Sequence, residues 1–457
     1  MRIPLDLTLT IGEIANIVGS SLHTSIDPHT EIKVICTDTR ECQKNDLFIA
    51  LNGEDDSGEK YVYQAIQNGC YTICKSSFDH TICVEDTLKA LFKIAKLYKE
   101  RISPRYTVGI TGSVGKSTTT KFLSTILNEK YKVHSTPGNF NNHIGVPLTL
   151  LSMPKDTEVL VVEMGMNHKG EISKLSKLIN PDIGLITSIG TSHIGNLGSR
   201  EDIACAKLEI LDGMKSGSIL LPFNEPLLLG IKQGLYVGRN CSGANFSLDD
   251  DTYGGYTMKS SERITDGLCF FDKREHFIYD LAFAISAAEL LDLSKQEIIN
   301  GVRAITSSNF RQRFIILKDF TIFDDSYNAS AESVSADLKF IKSFNRPTGA
   351  FIGDILELGD KSKGIHEYIG RVAAQMHIDR LYLYGTYAEF TARGALIEGM
   401  DKSGIFINTD IHSPKASIEH IRKNHASGEI ILFKASHKLR LDKIADIIEN
   451  EERINNE

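Results

Sequence analysis

The feature that most constrains the fold is a short glycine-containing segment between two patterns of different period. An apolar run at residues 106–110 precedes it, and a helix-like segment at residues 119–127 follows it. A strand, a glycine turn and a helix start in this order predict a phosphate-binding loop, because backbone N–H groups and the helix N-terminus then face the anion. The predicted loop consists of Gly112, Ser113, Val114, Gly115, Lys116, Ser117 and Thr118.

Two side chains of this loop carry the expected chemistry. Lys116 is expected to place a positive charge on the phosphates, and Ser117 to offer its hydroxyl to a magnesium ion. The fifth position before Gly115 is Ile110, so the loop is shifted from the usual nucleotide-binding pattern. The alternative is a chance Gly-Lys-Ser in a surface turn, which the flanking strand and helix disfavour.

Length and charge limit the classes of function. A chain of 457 residues predicts two to four domains. A net charge of −8 gives no reason to expect a nucleic acid partner, so an anionic substrate would need local positive sites. The N-terminus has no signal-peptide core, and the apolar runs are as long as strands rather than membrane spans. We expect a cytoplasmic protein with free thiols.

Strand-like and helix-like segments alternate along the chain, which predicts an α/β fold with parallel sheets. A linker at residues 102–105 and a change near residue 311 predict three domains, at residues 1–103, 104–310 and 311–457. Residues 245–271 form a more polar patch that favours antiparallel strands. The expected strands lie at residues 32–36, 47–51, 71–75, 158–163, 183–188, 217–222, 320–324, 349–353, 380–384 and 429–434.

Two further side chains are expected at the same sheet edge as the loop, because ligands of open α/β sheets sit beyond the carboxyl ends of the strands. Glu163 closes an apolar strand, and one carboxylate with phosphate oxygens and water is enough to hold magnesium. His193 follows the strand at residues 183–188. A lone histidine on a loop is more often solvated, and only its expected edge position singles it out.

Lys207 interrupts an apolar helical stripe. If residues 201–212 form a helix, Lys207 shares one face with Ile203, Ala204, Ile210 and Leu211, and no acid stands three or four residues away. The lysine either extends its ammonium to solvent along a packed stem, or is buried with a depressed pKa. In the second case the neutral amine could take up carbon dioxide and become a carbamate that binds a cation.

Several stretches together resemble a known family. They are residues 109–121, 136–151, 163–166, 170–172, 181–187, 206–210, 324–329 and 353–359. These stretches are similar to those of the Mur ligases, ATP-dependent enzymes that build the peptide of the bacterial cell-wall precursor. Residues 139–142 and 353–359 most resemble the member that adds D-alanyl-D-alanine to UDP-N-acetylmuramoyl-tripeptide.

The resemblance implies an α/β fold of three domains. A central P-loop-type parallel sheet would bind ATP, flanked by a small N-terminal α/β domain for the UDP end of the substrate and a C-terminal Rossmann-like domain. It also implies ATP and Mg²⁺ as cofactors, UDP-N-acetylmuramoyl-tripeptide and D-alanyl-D-alanine as substrates, and a monomer.

The resemblance also implies roles for individual residues. The catalytic set is Lys116, Lys207, Glu163 and His193, and the metal set is Ser117, Glu163, His193 and Lys207 as carbamate. Beyond the loop, the ATP-binding set is His276, Arg311, Asp325 and Asn328, with Arg313 as the alternative to Arg311. The substrate-binding set is Thr39, Arg40, Phe48, Asn139, Asn141, Asn142, Asp354 and Lys434.

The chain departs from the family at several positions. Ser117 stands where a threonine is usual, and Phe277 and Asp280 stand where the family has asparagines after its adenine-side histidine. No catalytic group is lost. A paralogue that joins a different amine or peptide therefore remains an alternative, as does a protein that uses the loop only as a nucleotide switch.

Overall fold

The structure is a computed structural model that describes residues 1–22, 26–53, 56–306 and 312–455. Its elements fall into two compact units. The first contains Met1–Thr187, Ala206–Phe271 and Tyr279–Ile305, and the second contains Ser188–Cys205, Asp272–Ile278 and Thr306–Glu457. The middle of the sequence thus contributes to both units. The domain boundaries expected at residues 103 and 310 stay a prediction.

The first hundred residues of the first unit form a five-stranded sheet with three helices. The bounds are β1 Arg2–Thr10, α1 Ile11–Val18, β2 Glu31–Cys36, β3 Leu47–Ile49, α2 Val62–Gln67, β4 Tyr71–Cys74, β5 Thr81–Cys83 and α3 Thr87–Ile102. The strands lie in sequence order; β1 and β2 are antiparallel and the other pairs are parallel. Tyr98 on α3 is buried, and its hydroxyl accepts N–H bonds from Asp6 and Leu7 at 3.0 and 3.1 Å. This tyrosine fixes α3 against β1.

A nine-stranded sheet follows. The strands are β6 Tyr106–Thr111, β7 Val133–Ser135, β8 Val159–Glu163, β9 Ile183–Ile186, β10 Ser218–Pro222, β11 Gly234–Arg239, β12 Phe246–Asp250, β13 Tyr256–Ser260 and β14 Ile264–Leu268. Their order is β14-β13-β12-β11-β10-β9-β6-β8-β7. In this order, all neighbouring strands between β12 and the β7 edge, β6 included, are parallel. The pairs β12–β13 and β13–β14 are antiparallel. The antiparallel patch expected at residues 245–271 is confirmed.

Helices of the middle sequence lie between these strands or follow the last of them. Their bounds are α4 Lys116–Leu127, α5 Gly145–Leu151, α6 Glu171–Ile179, α7 Ile194–Leu197, α8 Arg200–Leu208, α9 Glu275–Leu290 and α10 Lys295–Ala304. Ser294 caps α10 through a capping box with Glu297. All five residues of β8 are buried, as expected of a parallel strand covered on both faces.

A six-stranded sheet with five helices forms most of the second unit. Its elements are β15 Arg313–Ile316, β16 Phe320–Asp324, α11 Ala331–Lys342, β17 Thr348–Gly353, α12 Ser362–Gln375, β18 Arg380–Tyr384, α13 Ala388–Ile397, β19 Ile405–Asn408, α14 Lys415–Asn424, β20 Glu429–Lys434 and α15 Leu441–Asn455. The strand order is β15-β16-β20-β17-β18-β19; β15 and β16 are antiparallel and the rest parallel. Phe351 and Phe433 meet edge to face at the centre of its core, with ring centroids 4.9 Å apart.

The α/β fold class is confirmed, and the ten expected strands are present within one or two residues of their expected ends. The helix expected at residues 201–212 is shorter than expected. Helix α8 ends at Leu208 and a 3₁₀ turn, Glu209–Gly213, continues the chain. Within the described parts of the chain, none of the helices combines the length and the apolar character needed to cross a membrane.

Candidate active site

The strand, glycine turn and helix start that the sequence predicts around residues 112–118 are present. Strand β6 ends at Thr111, and α4 begins at Lys116 with Gly115 as its N-cap residue at φ +90°. A glycine N-cap has no side chain to cover the first turn, so the backbone N–H groups of the helix start are available to an anion. The ammonium of Lys116 donates to the carbonyl oxygen of Gly112 at 2.8 Å, which folds the lysine back over the loop.

Thr187, just after β9, supports the loop from the neighbouring strand. Its hydroxyl donates to the carbonyl oxygen of Val114 at 2.5 Å. A Cβ on Gly112 would lie only 1.9 Å from the same hydroxyl oxygen, so this position has room only for glycine. Two further hydroxyls, of Thr111 and Thr120, are buried without a hydrogen-bond partner among the described residues. Unsatisfied polar atoms around the loop fit a site that a polar ligand completes.

Glu163 and Ser117 come together at the same sheet edge. Glu163 closes β8, which pairs with β6, and its carboxylate is 2% exposed. It accepts hydrogen bonds from the Ser117 hydroxyl and from the Asn141 side-chain amide, both at 2.7 Å. A buried carboxylate with two neutral donors and no cationic partner among these contacts fits a cation site. The donor set of one carboxylate and one hydroxyl suits magnesium, which takes its remaining ligands from phosphate and water.

Lys207 is buried in the first unit. It is 2% exposed, so the alternative in which its ammonium reaches solvent is wrong. Burial lowers the pKa of Lys207 well below its usual range, and the positive charge of Lys116 lowers it further. No ion pair or hydrogen bond to Lys207 is present among the residues that the structure describes. The structure therefore favours a neutral amine at this position.

His193 lies in the second unit, at the start of α7, with φ +62°. Its Nδ1 lies close to the Glu357 carboxylate, without the geometry of a hydrogen bond. The carbonyl oxygen of Glu357 accepts the N–H of Gly195 at 3.0 Å, and Lys361 donates to the carbonyl of Gly198 at 2.7 Å. These contacts attach the His193 loop to the 357–361 loop, and the predicted role of His193 at the metal stays a prediction.

Three members of the expected metal set, Ser117, Glu163 and Lys207, lie in the first unit. Ser117 and Glu163 are in contact, and Lys207 is close enough to Lys116 for its titration to respond to that charge. Within the described ranges, no group of three His, Cys, Asp or Glu side chains has the arrangement of a protein-only metal site.

His276 is half-buried in an aromatic part of the second unit. Burial is the main cause that lowers the pKa of His276 to about 4, and the Arg274 guanidinium adds to it. Arg274 binds both carboxylate oxygens of Asp272 and lies over the rings of Phe277 and Phe340, at 4.1 and 4.4 Å from their centroids. His276 is thus neutral at pH 7 and suited to hydrogen bonding rather than to charge neutralisation.

Lys434 and Asp325 meet in a buried charge cluster. Lys434 ends β20, contacts the carboxylate of Asp325, and lies 2.9 Å from the carboxylate of Asp337 on α11. Burial alone would lower the pKa of Lys434, but the two carboxylates outweigh it and raise that pKa. Burial raises the pKa of Asp325 to about 7, in spite of the lysine charge. Sequence reasoning missed Asp337, although it interrupts the apolar stripe of Val334 and Leu338 as Lys207 does in its own helix.

Removal of the lysine charge tests this cluster. Lys434→Met is expected to destabilise the protein by about 3–5 kcal/mol at pH 8, because two carboxylates would be left buried without a cation. The loss should shrink as the pH falls towards 5, since Asp325, whose raised pKa rises further without the lysine charge, then takes up a proton that it does not bind in the unfolded chain. Urea unfolding at both pH values measures it, with the exposed Lys443→Met on α15 as the control. A loss equal at both pH values would contradict the charge assignment.

Asp354 holds a turn of the second unit. Its carboxylate, 4% exposed, accepts the N–H groups of Thr386 and Tyr387 at 2.8 and 2.9 Å. His366 holds the next residue, because its Nε2 accepts the N–H of Ile355 at 3.0 Å. With its carboxylate engaged in this way, Asp354 shapes the 353–359 loop, and its predicted contact with substrate stays a prediction.

The remaining substrate candidates differ in how much side chain they expose. Arg40 is exposed and binds Asp38, and this pair holds the pKa of Asp38 below its usual range. The Thr39 hydroxyl donates to Gln64 at 3.0 Å. Phe48 is buried in the core of the five-stranded sheet, so its ring is not on a surface where substrate could meet it.

The asparagine stretch follows β7. Asn141 bonds to Glu163, as described above, whereas Asn142 accepts the N–H groups of Ile144 and Gly145 ahead of α5. Asn139 is exposed.

The remaining ATP candidates belong to the second unit. Asn328 is exposed in the turn after β16. Arg311 lies outside the described residues. The guanidinium of Arg313 binds Asp324 at 2.8 Å and Asp446 at 2.6 Å. This engagement of Arg313 leaves the choice between the two arginines open.

Comparisons with known proteins agree with the geometry. Residues 110–252 match the family model described as the Mur ligase middle domain. The chain is 35% identical over 464 residues to the UDP-N-acetylmuramoyl-tripeptide--D-alanyl-D-alanine ligase of Bacillus subtilis (strain 168), with 96% of this chain and 98% of the relative covered.

Solved structures give the same family. MurF from Acinetobacter baumannii is 27% identical with a TM-score of 0.87, covering 98% of this chain and 100% of that one. MurF ligase from Thermotoga maritima in complex with ADP is 25% identical with a TM-score of 0.79, covering 92% of this chain and 98% of that one. The chain belongs to the Mur ligase family.

Proposed function

We propose that this chain is an ADP-forming ligase that joins D-alanyl-D-alanine to UDP-N-acetylmuramoyl-tripeptide at the expense of ATP. The observation that carries this proposal is the meeting of the phosphate loop with the Ser117–Glu163 pair at one sheet edge, together with the buried Lys207 of the same unit. Relatives that bear this activity in their names match nearly the whole chain.

The chemistry requires an activated carboxyl group. A carboxylate is a poor electrophile, and an amine does not displace its oxygen in water. Transfer of the γ-phosphoryl group of ATP to the tripeptide carboxylate gives an acyl phosphate and ADP. The amine of D-alanyl-D-alanine then attacks the acyl carbon, and phosphate leaves as the amide bond forms.

Lys116 serves this transfer by electrostatics. Its ammonium already lies over the loop, bonded to the Gly112 carbonyl, so little reorganisation is needed for it to meet phosphoryl oxygens. The N–H groups at the start of α4 face the same place. The Lys116 ammonium and these N–H groups are in place before the reaction begins. Positive groups positioned in this way stabilise a phosphoryl group during its transfer.

The residues that would hold magnesium are Ser117 and Glu163, with His193 and a carbamate on Lys207 as further members. There the metal would supply positive charge to the phosphoryl group during its transfer. Asn141 orients Glu163 through the 2.7 Å hydrogen bond to its carboxylate. A hydrogen bond from a neighbouring side chain fixes the direction of a metal-binding oxygen.

The remaining candidates are assigned to the substrates. Neutral His276, with Asp325, Asn328 and one of Arg311 and Arg313, serves the adenosine end of ATP. Thr39 and Arg40, with the chain around Phe48, serve the UDP end of the acceptor. The set for the peptide and dipeptide is Asn139, Asn141, Asn142, Asp354 and Lys434.

The larger organisation follows the same assignment. The domains would be a UDP-substrate domain at residues 1–103, an ATP-binding domain at residues 104–310 and a ligase domain at residues 311–457. All proposed groups come from one chain, so a monomer suffices. A reaction that consumes ATP and a UDP-linked precursor takes place in the cytoplasm.

A product assay tests the proposal. The purified chain is incubated with ATP, magnesium, UDP-N-acetylmuramoyl-tripeptide and D-alanyl-D-alanine, and the UDP-linked product is identified by mass spectrometry beside the phosphate released. We expect one pentapeptide product per phosphate. Turnover with other amines alone would assign the chain to a paralogue of altered specificity, and ATP consumption without a covalent product would assign it to a nucleotide switch.

A further inference from the structure

A buried carboxyl group lies directly against the phosphate loop and is not used in the mechanism above. Asp280, on α9 within the first unit, is 6% exposed. A Cβ on Gly115 would lie 2.3 Å from its Oδ1, so the carboxyl group packs onto the backbone at the N-cap of α4. The hydroxyl of Thr119, in the first turn of α4, donates to the same Oδ1 at 3.2 Å.

Among the residues that the structure describes, no positive charge compensates this carboxyl group. Asp280 takes part in no ion pair among the described residues, and neither Lys116 nor Lys121, the two lysines of α4, pairs with it. The Lys116 ammonium bonds instead to the Gly112 carbonyl. On its own helix, His276 stands four residues before Asp280 and is neutral at pH 7, and Glu289 is nine residues away, about 13 Å along the axis. Among these contacts, an ionised Asp280 would be stabilised by one hydrogen bond, from the Thr119 hydroxyl.

Burial without a cation favours the protonated form. Removal of a carboxylate from water is costly unless charge or several hydrogen bonds replace the solvent, so burial raises the pKa of Asp280 well above its usual range. A nucleotide in the adjacent loop would add further negative charge beside it. Such a charge acts in the same direction and makes ionisation still less favourable.

We propose that Asp280 is a positioning residue that supports the phosphate loop in its protonated, neutral form, and that its ionisation opposes nucleotide binding. This inference rests on the proposed function, because it requires nucleotide phosphates in the loop. In the neutral form the carboxyl group fills the space behind Gly115 and shares a hydrogen bond with Thr119. In the ionised form the same group places a negative charge behind the phosphate loop. Reciprocity then requires that bound nucleotide raises the pKa of Asp280.

The test combines a spectroscopic and a binding readout on the full-length chain. Infrared difference spectra of the wild type and of Asp280→Asn identify the carbonyl stretch of the protonated Asp280, and its loss is followed from pH 6 to pH 9, with and without ADP. Calorimetry gives the dissociation constant of ADP for both proteins at each pH. Comparison at equal pH cancels the ionisation of ADP itself. Glu289→Gln, which removes another buried acid of α9, is the matched control.

We expect the carbonyl band in the wild type at pH 7, and a higher midpoint for its loss when ADP is bound. Where the band is present the two proteins should bind ADP with similar affinity. Where it has disappeared, Asp280→Asn should bind about tenfold more tightly, a typical size for such coupling. If the band persists to pH 9 and the ratio of the two ADP dissociation constants stays constant, the result also supports a neutral Asp280.

Two results would overturn the inference. One is the absence of a protonated Asp280 band at pH 7, and the other is an affinity ratio that does not change as the band is lost. If Asp280→Asn fails to fold, Thr119→Val provides the second variant: loss of the hydroxyl should raise the pH at which the band disappears, and an unchanged midpoint would contradict the proposal. A wild type that binds no ADP at any pH would instead refute the proposed function.

Discussion

Lys116→Ala abolishes ligation while the fold is retained: this is the largest effect that we expect from one substitution. The residue is the one cationic side chain of the phosphate loop, and its ammonium is held over the loop by the Gly112 carbonyl. Loss of one preorganised charge at a phosphoryl group costs roughly 10²–10³-fold in kcat, and loss of loop order adds to it. Initial rates of phosphate release with both substrates present measure the effect.

Two further proteins make that result specific. Lys116→Arg keeps the charge but replaces a compact ammonium with a planar fork, so it should recover little activity. Lys174→Ala, on the exposed face of α6, should leave the rate unchanged. If Lys116→Ala turned over at a rate close to that of the wild type, the role given to this lysine would be refuted.

Lys207→Ala should reduce activity by about two to three orders of magnitude, and short carboxylates should restore part of it. The side chain is buried, and burial lowers its pKa, which favours the neutral amine that reacts with carbon dioxide. The nitrogen then forms a bond to the carbon, one proton is released, and a carbamate remains. The loss is expected because this anion would leave the cation site, where a single charged group is worth several kcal/mol.

The measurement separates a missing anion from a damaged fold. Activity of Lys207→Ala is recorded with increasing formate or acetate, and Lys207→Arg, which cannot form a carbamate, is recorded alongside. In the wild type, ¹³C-labelled bicarbonate should give a carbamate resonance that both variants lack. Full activity of Lys207→Ala without added carboxylate would reject the carbamate, as would a wild-type spectrum without that resonance.

Local patterns in the sequence are sufficient to predict the phosphate loop and to single out Lys207. The loop needs a strand, a glycine turn and a helix start, which are contiguous in sequence. Lys207 was found because a charged residue in an apolar stripe has either to reach solvent or to be buried. The spacing could not decide between these outcomes, since the face that α8 buries depends on its packing.

The sequence does not predict which side chains contact one another across the fold. Thr187 supports the loop from β9, and Asp337 reaches Lys434 from α11, across 97 positions of sequence in the second case. Such contacts depend on strand order, and no local pattern specifies that β20 lies between β16 and β17. For Asp354 and Phe48 the family resemblance implies contact with substrate. The structure instead engages the Asp354 carboxylate in a turn and buries the Phe48 ring in a core.

The central claim is that a carboxyl group is phosphorylated by a triphosphate held at residues 112–118. The most direct test uses UDP-N-acetylmuramoyl-tripeptide with ¹⁸O in its terminal carboxylate, together with ATP and D-alanyl-D-alanine. If an acyl phosphate forms, the phosphate released should carry one ¹⁸O atom from the carboxylate for each amide bond made. Amide formation with unlabelled phosphate would contradict the account.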